Sequence, residues 1–491
     1  MNHPLGEKLR GAASKDPNRP VMIVGAGEAG AWAINVCKSN KEYGHAMVAV
    51  DDDPTKLNQT IHGVPVKGTL EDIPDLCKRY GIHSIIIAIP TLKGSKLNHV
   101  IDLCVSTHCA VQLLSDPQLV GSGTPQQGAF RELNPADFLS RDEVTLDTDQ
   151  ISGYLTGKTV LVTGGGGSIG SELCRQVMRF KPGKLLIFDI YENCAYELLM
   201  ELQQKYGRDI PVTVLIGSIR DKKRLDEVFE TYHPTVVFHA AAHKHVPLME
   251  VSPAEAVKNN VLGTKNLLVS ASEHDVERFV QLSTDKAVNP TSVMGCTKRI
   301  CEMLIQTFAG NTDMKCVAVR FGNVLGSHGS VIPLFEAQIK KGGPVTLTDP
   351  NIERYFMTIP EAAQLVLQAG ALAESGNIYV LDMGEPVKIM DLAKQLIRFY
   401  GYEPGVNMEI KIVGLRPGEK LYEELMMDEE QDKMRRTQHN KIFVASPRSI
   451  DLAEFYGQLQ ELAAAAEHND EGVVQQLAKM IPTFTPTRQN L

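Results

Sequence analysis

The sequence predicts an α/β protein that contains two doubly wound parallel-sheet domains. Apolar runs of strand length alternate with segments of helical period along most of the chain. Two of the apolar runs end in glycine-rich turns, at residues 25–30 and 164–170, and each turn leads into a helical segment. This order of strand, tight turn and helix is typical of Rossmann-like domains. At 491 residues the chain is too long for one core, so we expect two or three domains.

Composition narrows the functional class. The net charge of -9 and a pI near 5.9 argue against nucleic acid as a partner. Nine cysteines are scattered without CxxC pairs, and no signal peptide precedes them, so we expect reduced thiols in a cytoplasmic protein and no metal site. No apolar run approaches the roughly 18 residues that cross a bilayer.

The first domain is predicted at residues 20–115, after a leader or linker remnant at 1–19. Its strand, glycine turn and helix are followed by a second strand that ends in three aspartates at 51–53. Glycines let backbone amides approach a pyrophosphate, and an acid after the second strand can hold a ribose diol. Because no acid or base cluster follows its strands, a structural or regulatory role is the favoured alternative. Residues 116–156 contain Gly, Pro and Asp with little periodicity and are interpreted as a connector.

A second and more complete fingerprint opens the domain predicted at 157–446. The strand 159–163 runs into glycines spaced GxxGxxG, and the next strand ends at Asp189. An acid at that point accepts hydrogen bonds from both ribose hydroxyls and repels a 2′-phosphate, so NAD is expected rather than NADP. The predicted cofactor contacts of this fingerprint and its strands are Gly164, Gly167, Ser168, Ile169, Gly170, Asp189, Ser218, Ile219, Ala240 and Ala241.

The chemistry is expected in the stretch 283–298. An apolar run that looks like a buried strand, residues 278–282, ends in Ser283, Thr284, Asp285 and Lys286, and helical spacing resumes at Met294. Open α/β sheets place their active sites at this carboxyl edge. The alternative is a capping loop in which Ser283, Thr284 or Asp285 caps a helix and Lys286 lies in solvent.

Several motifs together resemble the extended short-chain dehydrogenase/reductases, from residue 158 to about 430. More narrowly they resemble the bacterial UDP-N-acetylglucosamine 4,6-dehydratases of polysaccharide biosynthesis. The motifs are Thr163–Gly170, Ala240–Pro247, Ser283–Lys286, Arg320–Val324 and Leu415–Lys420. The resemblance implies a second domain with a smaller α/β substrate-binding lobe, bound NAD and UDP-N-acetylglucosamine as partner. Long members of that group carry transmembrane helices further upstream. A second interpretation is therefore that this chain is the cytoplasmic portion of an inner-membrane protein.

One position departs from most short-chain dehydrogenases. Where a Tyr-x-x-x-Lys pair transfers the proton, this chain has Met294 and Lys298. A thioether cannot take a proton at any useful pH. The long dehydratase branch is similar in carrying methionine, and that branch is associated with retention of configuration at carbon 5 of the sugar. A protein that only binds NAD is the alternative.

The resemblance implies roles for this stretch. Asp285 is the expected acid toward the 6-hydroxyl, Lys286 the base at carbon 5, and Thr284 positions the 4-hydroxyl. The expected place of Lys298 is at the nicotinamide ribose, with a solvated helix lysine as the alternative. Asp285 must hold a proton and Lys286 must lose one, whereas adjacent opposite charges favour both ionised forms, which counts against the assignment unless desolvation dominates.

Substrate contacts are expected mainly from the C-terminal third and the loop at 326–333. The candidates are Lys244, His245, Asn323, Ser330, Val331, Arg354, Arg416 and Glu419. Arginine forks suit a diphosphate, although Arg354 could equally pair on the surface with Glu353 or Asp349. Leu452, Phe455, Leu459 and Leu462 give the tail at 447–491 helical spacing, so we expect a packing or oligomer helix and a homo-oligomer. A nucleotide-sugar 4-epimerase and a nucleotide-sensing regulator are the competing functions.

Overall fold

A computed structural model describes most of the chain. The described residues are 16, 18–92, 94–115, 128–134, 137, 144–327, 329–445, 450–469 and 471–486. Most of the predicted leader, much of the predicted connector and His328 in the predicted substrate loop lie outside them. Two compact units are formed: unit 1 comprises 1–142, 329–347 and 389–413, and unit 2 comprises 143–328, 348–388 and 414–491.

The strands alternate with helices through both units. They are β1 (Pro20–Val24), β2 (His45–Val50), β3 (Thr60–Ile61), β4 (Val64–Gly68), β5 (Ser84–Ile87), β6 (Ala110–Leu114), β7 (Phe130–Glu132), β8 (Thr159–Thr163), β9 (Lys184–Asp189), β10 (Val212–Ile216), β11 (Val236–His239), β12 (Arg278–Thr284), β13 (Lys315–Phe321), β14 (Asn323–Val324), β15 (Val345–Leu347), β16 (Glu353–Arg354), β17 (Phe356–Met357), β18 (Ile378–Leu381), β19 (Val387–Lys388), β20 (Ile410–Ile412), β21 (Arg435–Arg436) and β22 (Ile442–Ala445).

The helices lie between these strands and at the end of the chain. They are α1 (Glu28–Ser39), α2 (Ile73–Tyr80), α3 (Gly94–Ser106), α4 (Thr148–Leu155), α5 (Ser168–Arg179), α6 (Glu192–Tyr206), α7 (Lys222–Tyr232), α8 (Val246–Val251), α9 (Pro253–Ala256), α10 (Gly263–Glu273), α11 (Val293–Ala309), α12 (Val331–Lys340), α13 (Ile359–Ala371), α14 (Ile389–Phe399), α15 (Asp428–Gln431), α16 (Leu452–Glu467) and α17 (Val473–Met480). Among the described residues, none of these helices has the length and hydrophobicity that a bilayer-spanning segment needs.

Unit 1 contains a sheet with the strand order β3-β4-β2-β1-β5-β6-β7. The pairs from β4 to β6 are parallel, and the two outermost pairs are antiparallel. Unit 1 also holds α14, where Gln395 donates a hydrogen bond to Asp102 of α3 at 3.3 Å. Residues 329–347 and 389–413 therefore group with the first domain's residues, and the predicted continuous domain at 157–446 stays a prediction.

Unit 2 contains a sheet with the strand order β10-β9-β8-β11-β12-β13-β18-β22-β21. All pairs from β10 to β18 are parallel, so their carboxyl ends share one edge. The order reverses between β8 and β11, and that switch point opens the crevice in which doubly wound sheets bind ligands. The predicted α/β fold class is confirmed for both units.

The C-terminal helices complete the core of unit 2. Phe455, Leu459 and Leu462 of α16 and Leu477 of α17 are buried in the same apolar cluster as Ile300 of α11. Their helical spacing therefore serves packing, as expected. Leu452 is the exception at the start of α16, since its side chain is exposed.

Candidate active site

The loop after β12 forms the centre of the candidate site. Residues 285–287 make one 3₁₀ turn, and the Thr284 hydroxyl oxygen caps it by accepting a hydrogen bond from the Lys286 N–H at 3.4 Å. The same hydroxyl donates to Asp285 Oδ1 at 2.8 Å. Asp285 is fully buried. The loop thus caps a turn, as the alternative held, but it also removes a carboxylate from water.

Lys286 lies among three oxygen acceptors. Its Nζ is 3.0 Å from Asp285 Oδ1, 3.2 Å from Glu423 Oε1 and 3.3 Å from Asn323 Oδ1. The contacts with Asp285 and Asn323 are hydrogen bonds, and the contact with Glu423 is an ion pair. The structure therefore joins the predicted catalytic pair to the predicted substrate residue Asn323 and to a carboxylate that the sequence analysis missed.

The charges around Lys286 keep it protonated. Burial lowers the pKa of its ammonium group, but the carboxylates of Asp285 and Glu423 outweigh burial and the repulsion from Arg354, so the pKa is raised. A base at carbon 5 needs a lowered pKa, and that expectation for Lys286 is wrong in this structure. The two carboxylates of Asp285 and Glu423 face its single positive charge and raise the pKa instead. Within the described residues, Asp285 Oδ2 and Glu423 Oε2 are buried and have no hydrogen-bond partner.

Helix α11 supplies Met294 and Lys298, one turn apart. Met294 is buried in the apolar core of unit 2, so no proton-transferring group stands at its position. Lys298 Nζ donates to the Leu282 carbonyl oxygen at 2.6 Å, and burial lowers its pKa. The alternative of a solvated helix lysine is wrong, because Lys298 is buried. Its role at a ribose stays a prediction.

A buried ion network fixes the strand ends behind the site. Ser283 Oγ donates to Glu302 Oε1 at 2.7 Å, and Arg320 bridges Glu302 and Glu430 at 2.8 Å to each. Burial raises the pKa of Glu302, but the Arg320 and Arg299 guanidinium groups outweigh it and bring that pKa to about 2. Since Ser283 and Arg320 are register partners on β12 and β13, the network holds the carboxyl edge in place.

The glycine turn after β8 brings backbone close to backbone. Gly164 has φ +66°, and a Cβ there would lie 2.6 Å from the Ala241 backbone nitrogen. A Cβ at Gly170 would lie 2.0 Å from the Gly164 carbonyl oxygen. Gly167 precedes α5 without a side-chain cap, and the first turn of a helix presents backbone N–H groups of the kind that bind phosphates.

Asp189 closes this turn from the end of β9. Its Oδ2 accepts from the Gly166 N–H at 2.8 Å, and its Oδ1 accepts from the Tyr191 N–H at 2.9 Å. Each carboxylate oxygen retains a free lone pair for a ribose hydroxyl. Phosphate donors and a diol acceptor therefore occur on one sheet edge, and this set of groups fits a dinucleotide.

The other predicted cofactor contacts flank this edge. Ser218 is half-buried and accepts a hydrogen bond from the Arg220 N–H at 3.2 Å, whereas the Ile219 side chain lies in the core. A ligand contact at Ile219 would therefore use its backbone. Ala240 and Ala241 are half-buried just beyond β11, and the Ala240 N–H donates to the Thr163 carbonyl oxygen at 3.0 Å.

The predicted substrate residues differ in environment. Lys244, His245 and Arg416 are exposed. Arg354 is only 8% exposed, and all three of its guanidinium nitrogens face protein acceptors, among them Glu419 at 3.4 Å and Glu423 at 3.6 Å. The alternative of a surface ion pair at Arg354 is thus wrong.

Two predicted substrate residues belong to the other unit. Ser330 and Val331 lie in unit 1, where Val331 begins α12. Their contact with a substrate stays a prediction.

The motif at 415–420 docks onto the loop that follows β12. Thr291 Oγ1 donates to the Gly418 carbonyl oxygen at 3.0 Å, and Lys420 Nζ donates to the Val288 carbonyl oxygen at 2.9 Å. Gly418 has φ +75°, and a Cβ there would lie 2.8 Å from the Ser292 Cβ. This docking places the Glu423 carboxylate beside the Lys286 ammonium group.

Sequence reasoning missed the acids that complete the site. Glu302 shares a helical stripe with Met294 and Ile305, and an acid on an apolar stripe is a signal of a buried ion pair. Glu423 lies three residues after the motif at 415–420, which was a weaker signal. No feature of the sequence indicated a role for Glu430, because only the folded chain brings it to Arg320.

Comparisons with known proteins cover both units. Residues 160–447 match the family described as polysaccharide biosynthesis protein, and residues 5–115 match a family described as CoA-binding domain. The capsular polysaccharide biosynthesis protein CapD of Staphylococcus aureus is 51% identical over 413 residues, which cover 83% of this chain and 68% of CapD. The probable polysaccharide biosynthesis protein EpsC of Bacillus subtilis is 48% identical over 427 residues, which cover 87% of this chain and 71% of EpsC.

Relatives whose names state an activity are less similar. A UDP-N-acetylglucosamine 4,6-dehydratase (inverting) of Campylobacter jejuni is 34% identical over 271 residues, 54% of this chain and 76% of that protein. A UDP-glucose 4-epimerase of Rickettsia rickettsii is 35% identical over 325 residues, 61% of this chain and 90% of that protein. The solved structure of Pen from Bacillus thuringiensis is 35% identical, with a TM-score of 0.56 over 60% of this chain and 90% of Pen.

Proposed function

The chain belongs to the polysaccharide biosynthesis protein family, within the extended short-chain dehydrogenase/reductases, and we propose that it is an NAD-dependent UDP-N-acetylglucosamine 4,6-dehydratase. This hydro-lyase would make a UDP-4-keto-6-deoxy sugar, with configuration at carbon 5 retained, for a bacterial surface polysaccharide or glycoprotein glycan. The observation that carries the proposal is the Asp285–Lys286 ion pair at the end of β12, in which Asp285 is fully buried. Met294 stands where a proton-transferring tyrosine would be expected.

NAD is proposed as the cofactor on the glycine turn after β8. Gly164, Gly167, Gly170 and Asp189 would hold it, with Lys298 at the nicotinamide ribose. When bound, NAD would accept a hydride from carbon 4 of the sugar and return it to carbon 6.

Asp285 is proposed as the acid that protonates the leaving 6-hydroxyl. The Thr284 hydroxyl donates to Asp285 Oδ1 and can accept from the 4-hydroxyl at the same time, which gives the 4-hydroxyl proton a path to Asp285. Oxidation at carbon 4 therefore protonates Asp285. That proton is the one that the 6-hydroxyl needs in order to leave as water. Burial of Asp285 prevents loss of that proton to solvent.

Lys286 is proposed as the base at carbon 5. Once carbon 4 is a ketone, the hydrogen on carbon 5 is acidic, and a neutral amine can remove it and later return it to the same face. Return to the same face retains the configuration at carbon 5. Met294 cannot take part in proton transfer, so the amine is the proposed base.

The substrate's diphosphate and uridine are proposed to lie near the exposed residues Lys244, His245 and Arg416. The guanidinium group of Arg416 suits the diphosphate, because guanidinium groups bind phosphates in bidentate fashion. Asn323 already contacts Lys286 and would place the sugar against it. We also propose a cytoplasmic location and a homo-oligomer.

The test is incubation of the purified protein with UDP-N-acetylglucosamine and no added cofactor. Loss of one water by mass spectrometry, together with the alkali-induced absorbance of a ketosugar, is the expected result. An isomer of unchanged mass would instead establish the epimerase, whose relatives are as similar as the named dehydratases. No change in the sugar would favour a nucleotide-sensing regulator.

A further inference from the structure

We propose that Glu423 accepts a proton from Lys286 during turnover and returns it afterwards, so that Lys286 serves as base without exchanging that proton with solvent. The inference rests on the proposed dehydratase function and deepens it. Glu423 lies outside the motifs that predicted the site, and its carboxylate reaches Lys286 because the segment at 415–420 docks onto the loop that follows β12.

The contacts of Glu423 suit a proton acceptor. Its side chain is 2% exposed, and its Oε1 lies 3.2 Å from Lys286 Nζ. Its Oε2 is buried and has no hydrogen-bond partner within the described residues. A carboxylate in this position can take a proton from the ammonium group without the charge leaving the buried cluster.

The charged groups around Glu423 determine how a proton transfer changes the total charge of this cluster. Asp285 and Glu423 carry two negative charges against Lys286, and Arg354 faces both Glu423 at 3.6 Å and Glu419 at 3.4 Å. Transfer of one proton from Lys286 to Glu423 leaves the total charge of this cluster unchanged. Release of the same proton to water would instead leave one more uncompensated negative charge beside the buried carboxylates of Asp285 and Glu423, which is costly.

Asp285 cannot take this proton, because the proposed reaction has already given it one. In the resting state Lys286 is an ammonium that donates to Asp285 and Asn323 and forms an ion pair with Glu423. Oxidation at carbon 4 sends the 4-hydroxyl proton to Asp285, which then holds it for the 6-hydroxyl. Glu423 is the remaining carboxylate in contact with Lys286 among the described residues.

The proton balance closes over one turnover. Lys286 passes a proton to Glu423 and becomes an amine, the carbon 5–hydrogen bond breaks with the proton going to Lys286, and Asp285 protonates the departing 6-hydroxyl as water. Lys286 then returns its proton to carbon 5 as the hydride reaches carbon 6. Glu423 finally reprotonates Lys286, and the resting state is restored with Asp285 ionised.

The test compares Glu423→Gln with Glu424→Gln in the full chain. Glutamine preserves the shape of Glu423 but cannot store a proton. Glu424 is the exposed neighbouring acid, and because it accepts from Lys420 Nζ at 3.0 Å, Glu424→Gln controls for loss of charge and for a disturbed contact of the segment at 415–420. Single-turnover reactions with UDP-N-acetylglucosamine are followed by cofactor absorbance for oxidation at carbon 4 and by mass spectrometry for water loss, between pH 6 and 10. Melting temperatures establish that both variants are folded.

We expect Glu423→Gln to oxidise carbon 4 within about twofold of the wild-type rate and to lose water about a hundredfold more slowly at pH 7. Its rate of water loss should rise about tenfold per pH unit, because the proton must now leave to solvent, whereas Glu424→Gln and wild type stay flat. Glu423→Asp should restore part of the rate and the flat profile.

Two results would overturn the inference: unchanged water loss, or an equal slowing of both steps without a pH slope, which would mark Glu423 as a packing residue. If wild type itself fails to release water from the sugar, the proposed dehydratase function is refuted, and the storage role is refuted with it. If wild type reacts but Glu423→Gln shows no pH slope, only the storage role fails.

Discussion

The two glycine turns of this protein have the same local construction. In both, a backbone N–H of the turn donates to an aspartate at the end of the next strand, Ala26 to Asp51 at 2.6 Å and Gly166 to Asp189 at 2.8 Å. In both, a Cβ on the last glycine would collide with a carbonyl oxygen of the first, at 1.9 Å for Gly30 and 2.0 Å for Gly170. Local sequence thus builds the same turn twice.

The surroundings of the two turns differ. At both turns, backbone N–H groups donate to the two oxygens of the aspartate. Asp51 differs in that Lys56 also pairs with it at 3.1 Å, on the same oxygen that accepts from Ala26. The strands beside the first turn end in apolar residues such as Val24 and Ile87.

Beside the second turn the strands end in buried polar residues. Thr163 and Thr264 hold the two ring nitrogens of His239, at 2.7 and 2.9 Å. Thr284 and Asp285 follow at the end of β12. The difference teaches that a glycine turn shows where a nucleotide can lie, while polar strand ends show where chemistry is possible.

The largest expected effect separates the two regions by activity. Asp285→Asn should slow water release from the sugar by about a thousandfold, because the amide cannot supply the proton to the leaving hydroxyl. Asp51→Asn should leave that rate within about twofold. Both rates are measured by mass spectrometry of the product. Full activity of Asp285→Asn would refute the acid role, and a large loss in Asp51→Asn would make the first turn part of the reaction.

An intermediate effect concerns the stability of unit 2 in acid. Burial brings the pKa of His239 to about 3, so the folded protein keeps it neutral while the unfolded chain protonates it below about 6.5. Stability from this group is complete above pH 6.5 and is lost as the pH falls toward 3, by about 2 kcal/mol at pH 5. Glu302, whose pKa is about 2 in the folded state, adds a further loss between about pH 4.5 and 2.

Urea unfolding at pH 7 and pH 5 measures this difference. Trp32 is the single tryptophan of the chain and lies in α1, so its fluorescence reports unit 1, while hydrogen exchange of β8 and β11 reports unit 2. His239→Gln should flatten the pH dependence of unit 2 and leave that of Trp32 unchanged. Equal pH dependence in wild type and His239→Gln would contradict the role given to His239.

The smallest effect tests the two aspartates as ribose acceptors. Asp189→Asn should weaken NAD binding about tenfold and reduce the discrimination against NADP, because the asparagine oxygen still accepts from Gly166 but the negative charge is lost. Isothermal titration with NAD and NADP measures both. Asp51→Asn, as the matched change at the first turn, should leave NAD affinity unchanged. Equal losses in the two variants would mean that the turns do not differ in this respect.

Local pattern predicted much of the fold. The strand predicted at 159–163 matches the structure in full, because buried parallel strands read as continuous apolar runs between polar turns. The apolar run at 278–282 continues as β12 to Thr284, and the helix expected to resume at Met294 begins at Val293. Ends of elements depend on capping and register rather than on apolar pattern.

The sequence by itself determined the two sheets, the two turns and the placing of Thr284, Asp285 and Lys286 at a strand end, because each depends on neighbouring residues. Only the tertiary structure decided the charge state of that site. Lys420 reaches Val288 across 132 residues, and with it Glu423 comes to Lys286. The pKa of a buried group is set by whichever charges the folded chain brings within a few ångströms, and chain order does not encode that distance.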